Sequence, residues 1–120
     1  MAMNLLEAAP TGTELGVEAA ACLFKSLGDP SRVAIVQHLL LGEHRVFELT
    51  AHLGLAQSTV SAHLACLRSC GLVAMRPDGR ASVYSLAFPE ATAQFLRSAE
   101  ELLRLTGAGV VLCPLSGASA

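Results

Sequence analysis

The sequence predicts a mainly α-helical domain carrying one small β-hairpin. Two observations lead to this. Apolar residues recur at helical spacing in several segments, each opened by a capping residue or closed by a glycine. Between the last two such segments, Pro77-Asp78-Gly79 separates two short strand-like stretches, and Asp-Gly there is a strong hairpin signal. A chain of 120 residues has room for one domain.

The elements follow in order. Residues 1–13 show no sustained period and read as a flexible N-terminal arm. From Glu14 to Leu27, Leu15, Ala19, Cys22, Leu23 and Leu27 keep helical spacing, and Gly28 ends the run. Asp29 and Pro30 suit the N-cap and first helical position of a second helix, which runs to about Leu41 with Val33, Ile35, Val36, Leu39 and Leu40 inside. A short third helix spans about Val46 to Leu53 and closes at Gly54. Leu55-Ala56-Gln57 forms a turn, and Ser58 is expected to cap a fourth helix from Thr59 to Cys70, stopped by Gly71. The hairpin strands are Leu72–Arg76 and Ser82–Leu86. Pro89 opens a last helix to about Thr106, and residues 107–120 form an uncharged tail containing Cys113.

That order is a winged helix-turn-helix, with residues 14–106 as the domain. On the fourth helix Val60, Leu64 and Leu67 share the core face, while Ser58, Ser61, Ala62 and Ala65 fall opposite. Small side chains let a helix backbone sit deep in a major groove, where hydroxyls bond phosphates or bases. Net charge is -2, so nucleic-acid binding must rest on a local patch. No acidic residue lies between Glu48 and Asp78, whereas Arg68, Arg76 and Arg80 do lie in or beside that stretch. The candidate contacts to double-stranded DNA are Gln57, Ser58, Thr59, Ser61, His63, Arg68, Arg76 and Arg80.

Other classes fit poorly. Aromatics are 4% with no Trp, which argues against a single-strand stacking platform. Two Asp and scattered Glu assemble no catalytic set, so an enzyme is not expected. No apolar run reaches the roughly 18 residues of a membrane span, and no basic n-region opens a signal peptide, so a cytoplasmic protein is expected. Four cysteines in a reducing compartment suggest metal or redox chemistry.

The run Leu27-Gly28-Asp29-Pro30-Ser31-Arg32 with Ile35 is followed by Leu49, His52-Leu53-Gly54-Leu55, then Ser58-Thr59-Val60-Ser61, His63-Leu64, Leu67-Arg68 and Gly71-Leu72-Val73. Together, over about residues 20–105, these motifs resemble the ArsR/SmtB family of metal-sensing repressors. The resemblance implies a homodimer joined by the first and last helices. It further implies binding to an imperfect inverted repeat in operator DNA and release from it when a metal ion binds.

Members of that family differ in where their ligands lie. A Cys-x-Cys pair at the third helix is missing here, since Arg45-Val46-Phe47-Glu48-Leu49 holds no thiol. A zinc site of Asp, His and Glu along the last helix is missing too, because residues 88–106 contain neither His nor Asp. Cys66 and Cys70 are i and i+4 on the fourth helix and can share an ion. Two thiolates suit zinc, and a third suits softer, larger ions. The cadmium/lead-sensing members carry a similar Cys-x-x-x-Cys plus a tail cysteine, so the resemblance makes Cys66, Cys70 and Cys113 the ligands and Cd(II) or Pb(II) the effector, with zinc or As(III) as further candidates.

The alternative for these cysteines is packing as small core hydrophobes. Cys22 reads as packing, although a thiol near the dimer seam could supplement the site. A redox or arsenite sensor using the same cysteines is a rival, but a Cys66–Cys70 disulfide within one helix is poorly aimed. An effector-independent DNA-binding protein is another. His63 lies on the Cys66 strip and is expected to serve DNA contact or helix packing. His38 reads as a core or interface histidine, and nothing in the sequence pairs His44 with His52.

Overall fold

The computed structural model describes residues 12–115. Residues 1–11 of the expected arm, the Leu15 side chain and the end of the tail lie outside the described residues; Gly12 and Thr13, also expected in the arm, open the first helix. The elements are α1 (Gly12–Ser26), α2 (Pro30–Leu40), β1 (His44–Arg45), α3 (Val46–Leu53), α4 (Gln57–Ser69), β2 (Val73–Asp78), β3 (Ala81–Leu86) and α5 (Pro89–Leu105). The winged helix-turn-helix is therefore present as expected: among the described residues there are five helices and a small antiparallel sheet.

Local chemistry accounts for most boundaries. Asp29 accepts hydrogen bonds from the backbone N–H groups of Ser31 (2.8 Å) and Arg32 (3.2 Å), capping α2. At α3 the Arg45 N–H donates to the Glu48 carboxylate (2.7 Å), and Gly54 closes the helix with φ 67°. The expected Ser58 cap is not formed. The helix α4 starts at Gln57, and Ala56 holds the cap position in extended conformation with no side-chain bond. Pro89 occupies the first turn of α5.

The sheet has one strand more than the hairpin, in the order β1-β3-β2. His44 pairs with Tyr84 and Arg45 with Val83. In the hairpin Asp78 pairs with Ala81, so the two-residue turn is Gly79-Arg80. Gly79 has φ 66° and Arg80 a negative φ, the pattern of a II′ turn with glycine first.

One core joins these elements. Ile35, Val36 and Leu39 of α2, Leu49 of α3, Val60, Leu64 and Leu67 of α4, Val73 and Leu86 of the sheet, and Ala93 and Leu96 of α5 are buried together. Cys113 of the tail belongs to the same cluster.

Candidate nucleic-acid interface and thiol junction

The helix α4 divides its faces as its sequence dictates. Val60, Leu64 and Leu67 are fully buried, while Gln57, Ser58, Thr59, Ser61, Ala62 and Ala65 are exposed. Gln57, Ser61 and Arg80 line one cleft of about 330 Å³ between the start of α4 and the wing. The exposed helix face and the wing tip thus meet along one cleft.

The basic residues differ in how they are held. Arg68 and Arg80 are exposed. Arg76 forms an ion pair with Glu43 (2.7 Å), and Arg45 pairs with Asp78, so β2, the outer strand of the wing, is tied at two points to β1 and the loop before it. The hydrogen bond from Arg45, with its charge, holds the Asp78 carboxyl below its usual pKa.

His63 points back toward α2. A guanidinium only donates, so Arg32 Nη1 donates to His63 Nδ1 (3.1 Å), which leaves the proton of a neutral ring on Nε2, 4.0 Å from Asp29. Of the two roles expected for His63, helix packing is the one this geometry serves. Arg32 also donates from Nε to the Ser26 carbonyl (2.6 Å) and from Nη2 to the Lys25 carbonyl (3.1 Å). One side chain thus binds two carbonyls at the end of α1 and touches α4. Desolvation raises the Asp29 pKa, but the backbone donors and the nearby Arg32 charge outweigh it and keep the carboxyl below its usual value.

Where α1 meets the end of α4, the sulfurs gather. Cys22 and Cys70 are joined as a disulfide with Cα atoms 6.6 Å apart. The Ser26 hydroxyl, almost fully buried, lies 2.8 Å from Cys70 Sγ and 3.6 Å from Cys66 Sγ. Cys22 is therefore an exposed junction residue, not core packing. Ser26 was not singled out in the sequence, because no local signal marks a hydroxyl whose partners lie 40 and 44 residues away. Cys113 stands apart in a different setting: it is fully buried in the core, and its backbone N–H and that of Leu112 donate to Glu100 (2.6 and 2.7 Å). Among the described residues, Cys66, Cys70 and Cys113 do not form one cluster of ligand atoms, whereas His38, His44 and His52 do. Those three histidines were not expected to meet.

An apolar surface remains on the α1–α5 side. Phe24 stacks on Phe95 with ring centroids 6.5 Å apart, and Leu23, Leu27, Phe88 and Phe95 line an apolar cleft of about 270 Å³. Val17 of α1, Leu102 and Leu105 of α5, and Phe88 just before α5 are exposed.

A helix with small exposed residues, a basic wing tip and a buried helix-turn-helix core make a winged helix-turn-helix domain. Residues 29–74 match the family model "Bacterial regulatory protein, arsR family". The "HTH-type transcriptional regulator CmtR" of Mycobacterium tuberculosis is 47% identical over 74 residues, covering 62% of this chain and 63% of that protein. Its structure, described as the cadmium metal-sensor, superposes with TM-score 0.54 at 42% identity over 64% of this chain and 83% of that one. The "Probable mercury resistance operon repressor" of Streptomyces lividans is 42% identical over 69 residues, 58% of this chain and 55% of that protein. The homodimeric winged helix-turn-helix DNA-binding domain Mb0332 of Mycobacterium bovis superposes with TM-score 0.71 at 27% identity, covering 80% of this chain and 92% of that one. The chain belongs to the ArsR family of bacterial regulatory proteins. These relatives are transcriptional regulators, not enzymes, and the chain spans between about half and two thirds of the length of the first two. Among the described residues no helix is long and apolar enough to cross a membrane.

Proposed function

We propose that this protein is a homodimeric cytoplasmic repressor that leaves operator DNA when a soft metal ion, Cd(II) or Pb(II), binds cysteine thiolates between α1 and α4. The observation that carries the reading is the convergence of Cys22, Cys66, Cys70 and the buried Ser26 hydroxyl at that junction. Residues 14–106 are the DNA-binding domain, and residues 107–120 are a tail holding a further ligand candidate. The exposed apolar surface of α1 and α5 fits a second copy of the chain, which agrees with the homodimeric solved relative.

Gln57, Ser58, Thr59 and Ser61 would approach the bases and phosphates of an imperfect inverted repeat, with Arg68, Arg76 and Arg80 on the backbone and His63 orienting α4. In the reduced protein Cys66 and Cys70 supply two thiolates. Cys22 is the third thiol the fold brings there, and Cys113 joins only when the tail leaves its core site. Thiolates select soft ions, so zinc and As(III) are weaker and equal rivals, respectively, for a three-sulfur set. The Ser26 hydroxyl can donate a hydrogen bond to a thiolate there. Sulfurs from α1 and α4 drawn to one ion fix the recognition helix against the dimer helix. A hundredfold loss of DNA affinity requires the ion to prefer that pose by about 2.7 kcal/mol.

A second reading is favoured by the Cys22–Cys70 disulfide. Oxidation of these two thiols to the disulfide, with both electrons and both protons passing to a peroxide that is reduced in turn, would fix the same junction covalently. One experiment separates the readings. The reduced chain is titrated with Cd(II) while sulfur-to-metal charge-transfer absorbance and operator binding are followed. Intensity from three thiolates per ion, with release from DNA, supports the metal reading, and its loss in Cys66→Ser assigns the site. No absorbance, with release only after oxidation and only while Cys22 and Cys70 are both present, replaces it with the redox reading.

A further inference from the structure

His38 near the end of α2, His44 in β1 and His52 in the last turn of α3 come from three elements and meet at one point. One ring nitrogen from each lies within 4.8 Å of the others. The rings of His38 and His52 stack with centroids 4.7 Å apart and planes within 11°, and His44 stands edge-on, 5.6 Å from His52 and 6.1 Å from His38. Face-to-face imidazoles this close repel if both are protonated, so the stacking disfavours a doubly charged pair, and the neutral imidazole is the form that ligates metal. Burial, and then the neighbouring His52 and His44, lower the His38 pKa, in agreement with a neutral ring.

The hydrogen bonds point the same way. His44 Nδ1 lies 2.7 Å from the Gly42 carbonyl, which can only accept, so the proton sits on Nδ1. That leaves the Nε2 lone pair of His44 available. A ring N–H given to a backbone carbonyl is the usual outer-shell support of a ligating histidine.

We propose that His38, His44 and His52 form a binding site for a borderline divalent transition-metal ion, of which Zn(II) is the type, with the fourth position left to water. Three imidazoles and no sulfur suit zinc, cobalt or nickel over the soft ions expected at the thiol junction. Nitrogens about 2.1 Å from a tetrahedral ion stand about 3.4 Å apart, which side-chain rotation can reach from the observed spacing. The site joins α2, β1 and α3, a set of elements separate from the α1–α4 junction. Binding there stiffens the frame on which α3 and the turn to α4 are mounted. The inference goes beyond the repressor reading and does not rest on it.

The test uses the reduced, untagged full chain and Zn(II) alone at neutral pH, with imidazole resonances followed by NMR. The chain has four histidines, and His63, held by Arg32, serves as the internal control. The His38, His44 and His52 signals should move together and saturate at one ion per chain while His63 stays. The shifts should survive Cys66→Ser/Cys70→Ser. His52→Gln at an exposed position, and His44→Gln as a second variant, should each weaken binding at least tenfold without lowering the melting temperature. Absence of shifts, equal movement of all four histidines, or loss of the shifts in the cysteine variant would overturn the proposal. So would unchanged affinity in both glutamine variants.

Discussion

Replacing Glu100 should release the C-terminal tail and expose Cys113. The half-buried Glu100 carboxylate accepts the N–H groups of Leu112 (2.7 Å) and Cys113 (2.6 Å), and Gln37 donates to the Leu112 carbonyl (2.8 Å). A hydrogen bond to a charged group contributes about 1.5–3 kcal/mol when buried, and partial exposure brings each of these two nearer 1–1.5. Glu100→Ala therefore removes about 2–3 kcal/mol of tail docking, which raises the open population about 30- to 150-fold. The assay is thiol labelling in a Cys22→Ser/Cys66→Ser/Cys70→Ser background, where Cys113 is the last cysteine. When labelling is slower than reclosing, its rate reports the open fraction. Glu100→Ala should label about 30- to 150-fold faster, Glu100→Gln less so because its amide oxygen still accepts, and Gln37→Ala about tenfold faster. Acceleration below threefold in Glu100→Ala, with the fold intact by circular dichroism, would refute the clasp and leave Cys113 held by core packing alone.

Leu64→Ala should lower stability by about 2–5 kcal/mol in denaturant unfolding, since Leu64 is fully buried beneath α4. Ser61→Glu should weaken operator binding at least tenfold with the melting temperature unchanged, because it places a negative charge on the exposed face toward phosphates; equal affinity would remove that face from the interface. The Asp78 carboxyl has its pKa lowered by the hydrogen bond and charge of Arg45. Its contribution is therefore complete above the unfolded value near 3.8 and is lost as pH falls through the folded value. The melting-temperature gap between the natural chain and Asp78→Asn should stay constant from pH 7 to about pH 5 and shrink below about pH 4. A gap unchanged down to about pH 2 would show that the ion pair does not set it.

The fold was legible wherever its cause is local. Asp29 and Pro30 start α2, glycines end α1 and α3, and period 3.6 on α4 separates Leu64 from Ser61; each of these acts within a few residues. The two residues of β1 are too few for any period, and they become a strand only because β3 offers them an edge. Ser58 carries the right chemistry for a cap, yet the extended Ala56 lets the helix begin one residue before it. The candidate site divides the same way. Cys66 and Cys70 share a helix strip and could be paired from spacing, whereas Cys22 and the three histidines meet through packing across distant segments. Cys113 reads from the sequence as a tail residue and ligand candidate, and its place in the core arises only through packing.

The distant contacts nonetheless descend from the local ones. Gly28, Asp29 and Pro30 break α1 from α2 and fix the angle at which the second helix leaves the first. That turn brings Arg32 under the end of α1, where its guanidinium binds the carbonyls of Lys25 and Ser26 and then reaches His63 on α4. With α1 and α4 held by one side chain, Cys22 and Ser26 face the helix end that bears Cys66 and Cys70. Arg32 is thus a positioning residue for the thiol junction. Arg32→Gln should keep the winged-helix fold while loosening α1 from α4. In thiol–disulfide buffers this would appear as a smaller fraction of Cys22–Cys70 disulfide at equal redox poise, and an unchanged fraction would show that the helices are held together without it.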